Sequence, residues 1–468
     1  MPVNSFEDYP MSWKPKIENG TTPIYLAIAE QLEKDIRQGN LAPGTKLPPQ
    51  RELADFLDVN LSTVSRAFKK CEQKGLICAS VGSGTYVSSD VAVNTILLHH
   101  HDSPRLIELG SIFPDASANE EVAAYIKNMT AEPDFGRLFQ YGFFGGTMWQ
   151  KQAAVKWIGK TGYQTQTQKI LLANGGQNAI FAVLAGLFHA GDKIGTDPVT
   201  YPGIKTAAKM LNIQLVPIQQ ENDEITAEGL LYACKNENIK GIYLIPDFHN
   251  PTTHTMSLDT RKMIAATAKE KELIVIEDAI NSLLTPNPLP PIAAYAPENV
   301  LHITSLSKTV APGLRLAFIT TPDAFRKQME VALYNMNITV SPFMAELAAR
   351  MIYDETAERI VQKRRMHTQK QNVIVDGYLR GYSVLGDHDS NFRWLKLPER
   401  FTGESFELCA YHAGVQVFAA ERFTVGKTKP ERAVRMAITA PENPAQLEEA
   451  LKIIRSLLES SHDEATFY

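Results

Sequence analysis

Five short stretches between residues 170 and 320 hold the side chains best able to do chemistry. Asn174-Gly175-Gly176-Gln177 is a turn ahead of a helical pattern, and its free backbone N–H groups suit a phosphate. Tyr201, in Thr-Tyr-Pro-Gly, presents an aromatic ring, and Asn250, in Asp-Phe-His-Asn-Pro-Thr, presents an amide. Asp278 ends the apolar run Ile-Val-Ile-Glu-Asp. Ser305-Leu-Ser307-Lys308 brings two hydroxyls and an amine, with Arg315 shortly after. An amine can condense with a carbonyl, an acid can hold a cation, and hydroxyls with a guanidinium can hold an anion. No metal is expected. The four cysteines (Cys71, Cys78, Cys234, Cys409) lack ligand or redox spacing. The run His99–His101 has no cysteine or carboxylate cluster beside it and reads as a solvated tract.

Each of these stretches follows a short β-rich apolar run: 169–173, 193–197, 240–246, 273–277 and 300–304. Two more runs lie at 214–218 and 315–321, and helical spacing fills 178–189, 203–211, 226–236 and 258–271. That alternation predicts an α/β fold with a largely parallel sheet covered by helices. In such a sheet ligands sit beyond the carboxyl ends of the strands, so the five stretches converge on one edge. The inventory fits pyridoxal 5′-phosphate, which needs an amine (Lys308) and a carboxylate to keep its ring nitrogen protonated (Asp278). Blander readings stand beside it: Tyr201 as core and Asp278 as a turn cap. Beyond 325, a helical stretch at 343–380, strands near 392–397 and 433–439 and a helix at 444–459 predict a smaller α+β part.

The N-terminal zone has a different grammar. Ile24, Ile28, Leu32 and Ile36 form one helical stripe, and a second short helix covers 51–57 with Leu53, Phe56 and Leu57 inward. Asn60 is placed to cap a third helix, 61–74, buried along Val64, Phe68 and Cys71. Ser62, Thr63, Ser65 and Arg66 then lie on its outer face, where a helix–turn–helix reads base edges. Arg66, Lys69, Lys70 and Lys74 meet only Glu72 there, a local basic stripe suited to a phosphate backbone. Val81–Val87, containing Gly82-Ser83-Gly84-Thr85, reads as a wing. The alternative is a helical interaction domain with a solvated basic face.

Length and charge set the frame. With 468 residues, two or three domains are expected. A net charge of −5 gives no global field toward nucleic acid or anionic lipid, so any DNA surface must be local. No apolar run approaches a bilayer span, and Met1–Ile17 is unlike a targeting peptide, so a soluble, cytoplasmic protein is expected. The organisation predicted is an arm at 1–22, a DNA-binding domain at 23–87, a linker at 88–107 and a cofactor domain at 108–468. Within the last, a large part covers about 140–324 and a small part about 325–468.

The segment "LPPQRELADFLDVNLSTVSRAF…GLI…GSGTYV" resembles the GntR-type winged helix–turn–helix, which adds Arg51 to the DNA-contacting set; Leu61 stands where that family commonly has arginine. "GGQNAI", "TYPG", "PDFHNPT", "IVIEDA" and "SLSKTVAPGLRLAFI" resemble the ordered motifs of class I, fold type I aminotransferases. The whole chain is thereby similar to the MocR family of pyridoxal phosphate-responsive regulators. The resemblance implies that Lys308 carries the cofactor, Asp278 pairs with its ring nitrogen, Asn250 bonds its phenolic oxygen and Tyr201 stacks on its ring. It further implies that Gly176, Gln177, Ser305, Ser307 and Arg315 hold the phosphate, that Tyr141 reaches the phosphate of a partner subunit, and that Arg435 forks onto an amino acid's α-carboxylate. An arginine there could instead pair with a surface carboxylate. Two departures stand out: Ile280 and Asn281 occupy the positions of a tyrosine that tunes the phenolic oxygen, and Thr253 replaces the glycine of "NPTG".

Three functions follow as expectations. The first is a homodimeric regulator that binds DNA half-sites and senses pyridoxal phosphate, an amino acid, or both. The second is a working aminotransferase with an accessory DNA-binding domain, and the third a DNA-binding protein with a structural cofactor.

Overall fold

The computed structural model describes residues 11–17, 23–37, 40–41, 45–74, 76–80, 84–88 and 106–460. Three helices, α1 (Ile24–Arg37), α2 (Gln50–Phe56) and α3 (Leu61–Gln73), enclose a small core of Ile28, Leu32, Ile36, Leu53, Val64, Phe68 and Cys71. Ile24, expected on the same stripe, is exposed because the first turn of α1 projects beyond that core. The Asn60 side chain accepts from Ser62 N at 2.9 Å, capping α3 as its position predicted. Strands β1 (Ile77–Ser80) and β2 (Gly84–Val87) pair antiparallel. Residues 45–47 flank β2 through Leu47 N to Thr85 O and Val87 N to Thr45 O. Trp13 is buried against this core and donates Nε1 to Asp35 at 2.9 Å. The end of the expected arm therefore packs as part of the domain, because a buried indole needs both a core and an acceptor.

Of the expected linker, 89–105 lies outside the described residues. Its last residue belongs elsewhere: Ile107, in β3 (Ile107–Glu108), pairs with Val415 of β15 (Val415–Gln416). Then come α4 (Asn119–Thr130) and α5 (Met148–Gly159). The main sheet contains β4 (Ile170–Ala173), β5 (Lys193–Thr196), β6 (Gln214–Pro217), β9 (Gly241–Leu244), β10 (Ile274–Asp278), β11 (Val300–Ser305) and β12 (Ala317–Thr320). The order is β4-β12-β11-β10-β9-β5-β6, and within it only β12 runs antiparallel to its neighbours. Between them stand α6 (Gly176–Leu187), α7 (Pro202–Met210), the hairpin β7 (Gln220–Glu221) and β8 (Glu224–Ile225), α8 (Ala227–Tyr232) and α9 (Leu258–Lys271).

All seven apolar runs are strands of this one sheet. They lack polar alternation because both faces are covered. Leu171, Tyr243, Ile276, Ile303 and Ile319 meet α6 and α7 on one side; Ile170, Leu172, Leu244, Val275 and Phe318 meet α5 and α9 on the other. The helix read at 226–236 is α-helical to Tyr232 and then widens into a π turn over Ala233–Glu237, ending at the left-handed Asn238.

The expected helix at 343–380 is two helices, α11 (Pro342–Tyr353) and α12 (Thr356–Tyr378). The chain turns at Glu355, which sits at φ 64°. With α10 (Arg326–Asn337), α11 packs on the main sheet's helices, so the large part runs well past residue 324. The small part holds β13 (Val384–Leu385), β14 (Arg393–Lys396), α13 (Gly403–His412), β15, β16 (Phe418–Ala419), β17 (Ala433–Met436) and α14 (Pro444–Glu459). Leu109 is buried in its core. No described helix is long and apolar enough to cross a membrane.

Asn60→Ala should lower the unfolding free energy of the helix–turn–helix by about 1 kcal/mol. Asn60→Asp should retain most of it; urea titration followed by Trp13 fluorescence compares the two.

Candidate functional site

Five parallel strands deliver the chemistry-bearing stretches to one edge of the sheet. After β4, Gly175 takes φ 89° and caps α6 without any side chain, leaving the first N–H groups of the helix free. A Cβ on Gly175 would lie 2.6 Å from Arg315 Nη2, so glycine lets the guanidinium lie against the turn. Arg315 is exposed, itself left-handed at φ 43°, and reaches Ser307 Oγ at 3.4 Å. Ser307 N in turn donates to Ser305 Oγ at 3.2 Å. Two hydroxyls, a guanidinium and a helix N-terminus thus make an anion cup.

Beside the cup, Asp278 ends β10 with almost no exposure. Tyr243 donates its hydroxyl to Asp278 Oδ2 at 2.7 Å, and Ile280 N lies 3.4 Å from Oδ1. Burial pushes the carboxyl up to about 6 in spite of these donors. The preceding acid, Glu277, points to the other face of the sheet. There it accepts from Ile292 N, Ala293 N and His302 Nδ1 and is structural. Tyr201 stands at the start of α7, its hydroxyl raised to about 12 by burial and by Asp278. Gln177 Nε2 donates to Gly203 O at 2.9 Å, while Gln177 Oε1 is buried without a partner. A Cβ on Gly203 would strike the Tyr201 ring at 2.2 Å.

Lys308, half-buried, donates Nζ to Ile112 O at 2.5 Å. Burial, then the neighbouring Arg435 and Arg315 charges, bring its amine down to about 8. Arg435 is buried in the small part's sheet among the rings of Phe392, Phe418 and Phe423, 4.8–5.8 Å from its guanidinium carbon. It donates Nη1 to Asn250 Oδ1 at 2.6 Å and Nη2 to Gly110 O, while Nε has no partner. Burial draws its guanidinium down to about 9. It is not a surface ion pair.

The loop holding Asn250 is pinned by Glu224, which accepts from Ser257 N at 2.6 Å, Ser257 Oγ at 2.7 Å and His254 Nε2 at 3.1 Å. Against burial, the Thr260 hydroxyl, which also donates to it, and then those donors hold it near 2. Thr253 sits at φ 69°, keeping the left-handed backbone that a glycine would adopt more easily. Asn281, in the place of the absent tyrosine, donates Nδ2 to Phe248 O at 3.1 Å. Tyr141 differs from the rest of the set, being 85% exposed alongside Phe139 and Phe143.

On the N-terminal domain, Ser62, Arg66 and Lys69 are exposed and Thr63, Ser65 and Lys70 half-buried along α3; Arg51 is exposed on α2. Ser65 is committed to Gln50 at 2.6 Å, and Arg66 lies 4.1 Å over the Tyr25 ring. Lys74 is neutralised by Glu33 at 2.5 Å, which shortens the basic stripe. Gly84 needs its φ of 114°, and a Cβ there would meet Lys46 at 2.9 Å, while Thr85 follows in β2. Gly82 and Ser83 lie outside the described residues.

Comparison with known proteins bears directly on this arrangement. Residues 104–454 match the family "Aminotransferase class I and II", and residues 24–87 match "Bacterial regulatory proteins, gntR family". An uncharacterized HTH-type transcriptional regulator of Bacillus subtilis (strain 168), YdeF, is 54% identical over 98% of this chain and 99% of its own length. The chain belongs to the MocR family. Another relative is the vitamin B6 salvage pathway transcriptional repressor PtsJ of Salmonella typhimurium, 24% identical over 88% of this chain and 93% of that protein. A kynurenine aminotransferase of Pyrococcus horikoshii, solved with PMP, shares the fold. Its TM-score is 0.69 at 21% identity, covering 76% of this chain and 93% of that one.

MocR membership implies pyridoxal phosphate, and the residues present fit it. The cup suits a phosphate, and among the described residues Gln177 Oε1 and Arg435 Nε are buried without a hydrogen-bond partner. Sequence reasoning missed Tyr243, the carbonyls of Gly110 and Ile112, and the rings around Arg435. A hydroxyl inside the otherwise apolar Gly-Ile-Tyr-Leu-Ile run was the one available signal.

Because the neutral amine attacks a carbonyl, loading of pyridoxal phosphate by stopped-flow absorbance should accelerate as pH rises through about 8 and then level off. Lys308→Ala should abolish that phase.

Proposed function

We propose that this MocR protein is a DNA-binding transcriptional regulator whose aminotransferase-like part senses pyridoxal phosphate, an amino acid reacting at the same site, or both. One observation carries the reading. The two cations that would read these ligands hold neighbouring carbonyls of one segment, Lys308 on Ile112 and Arg435 on Gly110. That segment follows residues 89–105, which join it to the winged helix. To hold pyridoxal phosphate, Lys308 would give up Ile112 O, and to fork onto an amino acid's carboxylate Arg435 would give up Gly110 O and Asn250 Oδ1. Ligand occupancy is thereby felt where the chain enters from the DNA-binding domain.

In this reading Asp278 keeps the ring nitrogen protonated, Asn250 bonds the phenolic oxygen and Tyr201 covers the ring. The N–H groups of Gly176 and Gln177, with Ser305, Ser307 and Arg315, hold the phosphate. When bound, the cofactor supplies an electron sink for chemistry at an amino acid's α-carbon. The protein acts in the cytoplasm, where its DNA lies, with α3 and Arg51 on the duplex and the wing at Gly84 and Thr85 beside it.

The exposed Phe139, Tyr141, Phe143 and Met148 support a homodimer in which Tyr141 reaches the partner's phosphate cup. A two-fold pair of winged helices then reads repeated half-sites. Turnover as an aminotransferase is the second reading, favoured by Lys308 and Asp278 standing together at the edge; Asn281 in the tyrosine's place argues for a slow enzyme at best.

The test is an absorbance spectrum of the full chain with and without pyridoxal phosphate, beside Lys308→Ala, followed by amino acid titration while DNA binding is measured. A visible band absent from the variant, shifting with an amino acid that changes DNA affinity, is the expected result. A band that shifts and turns over with DNA affinity constant favours the enzyme, and no band overturns both. Phe143→Glu should move the mass by light scattering toward a single 52.0 kDa chain.

A further inference from the structure

We propose that Tyr243 is a positioning residue for the cofactor site: its hydroxyl keeps Asp278 ionised and turned so that the other carboxylate oxygen faces the ring nitrogen. The inference rests on the cofactor reading above and adds to it a group from the interior of the sheet. Tyr243 lies on β9 directly beside Ile276 of β10, and so on the same face as Asp278 two residues further along. Both side chains are essentially inaccessible to water, and the Tyr243 hydroxyl reaches Oδ2 at 2.7 Å.

A buried phenol is costly unless its hydroxyl is paired, and the Asp278 bond satisfies it. The effect on Asp278 is the reverse of burial: a donor stabilises the anion, whereas desolvation stabilises the acid. The phenol is itself held protonated, well above its ordinary range, by burial and by that same carboxylate. It therefore donates throughout the working pH range and never competes as a base.

The other titratable groups around the pair do not replace it. His302 of β11 is engaged with Glu277 on the opposite face. Asp197, at the end of β5, faces His249 at 3.5 Å and accepts from Gln220 at 2.6 Å. Tyr201 stands at the start of α7, where the cofactor ring would lie, and Lys308 and Arg315 stand across the site. Among the described residues, Tyr243 is the side chain hydrogen-bonded to Asp278. The geometry also divides the carboxylate: Oδ2 is taken from within the sheet, and Oδ1 has only the long contact to Ile280 N. Oδ1 is left for a ring N–H.

Tyr243→Phe removes the hydroxyl and keeps the ring, so packing against Ile276 is retained. The test is the affinity of the full chain for pyridoxal phosphate, read from the visible band, between pH 5 and 9, in wild type, Tyr243→Phe and Asp278→Asn. Wild-type affinity should fall as pH drops through about 6, where Asp278 takes up a proton. In Tyr243→Phe that midpoint should move up by about one unit, making affinity about tenfold weaker at pH 5, about twofold weaker near neutrality and close to wild type at pH 8.5. Asp278→Asn should bind weakly with no such midpoint.

A Tyr243→Phe curve superimposed on wild type overturns the proposal. So does an equal loss at every pH, which is the mark of packing alone. Thermal unfolding without cofactor separates either result from misfolding: a folded variant is read as above. Should it not fold, the same pH series on Tyr243→Leu and Tyr243→His decides, with only His, able to donate, expected to keep the wild-type midpoint. A wild-type chain that gives no band at any pH overturns the cofactor reading itself, and with it this inference.

Discussion

A carboxylate kept out of water at the end of a central strand is an unfinished electrostatic arrangement, and much of this molecule is organised around it. Asp278 can sit there only because Tyr243 and a backbone N–H offset part of its desolvation. The remaining cost is what makes the position useful, since a cation brought to it gains what water would otherwise have supplied. The nearby side chains follow the same logic. Lys308 and Arg435 are both pulled down by burial, so the edge of the sheet gathers charges that are held ready but incompletely paired.

The parallel sheet explains how these groups come together. Strands buried on both faces can place no polar side chain in their middles without loss, so chemistry is confined to their carboxyl ends. Adjacent acids show how strictly the pleat decides roles. Glu277 ties the 292–293 turn and His302 on one face, while Asp278, one residue later, opens into the site on the other. The small part adds Arg435 through β17, and the antiparallel pairing of Trp394 with Arg435 fixes its depth.

Much of this was legible in the sequence, and the limits have physical causes. Continuous apolar runs located all seven strands, and spacing alone placed α9 and α14 to the residue. Asn60 was readable because capping is a local interaction. The break at Glu355 was not, because nothing in 343–380 disrupts helical periodicity and only tertiary packing imposes the turn. Nor could the sequence show that Ile107 joins a strand more than 300 residues away, or that α10 packs on the larger part. In the site, residues in motifs were found and residues acting through backbone carbonyls, such as Gly110 and Ile112, were not. A carbonyl has no residue type. Thr253 shows the converse: a departure from the motif that leaves the backbone conformation intact.

The contacts of Lys308 and Arg435 with the 110–112 segment carry a consequence that runs backwards. If occupying the site loosens that segment and thereby alters DNA affinity, linkage requires the operator to alter ligand affinity by the same factor. Promoter-bound and free copies of the protein would then report different thresholds to one pool of small molecules. The cell's response would depend on how many binding sites its chromosome offers as well as on the concentration being sensed.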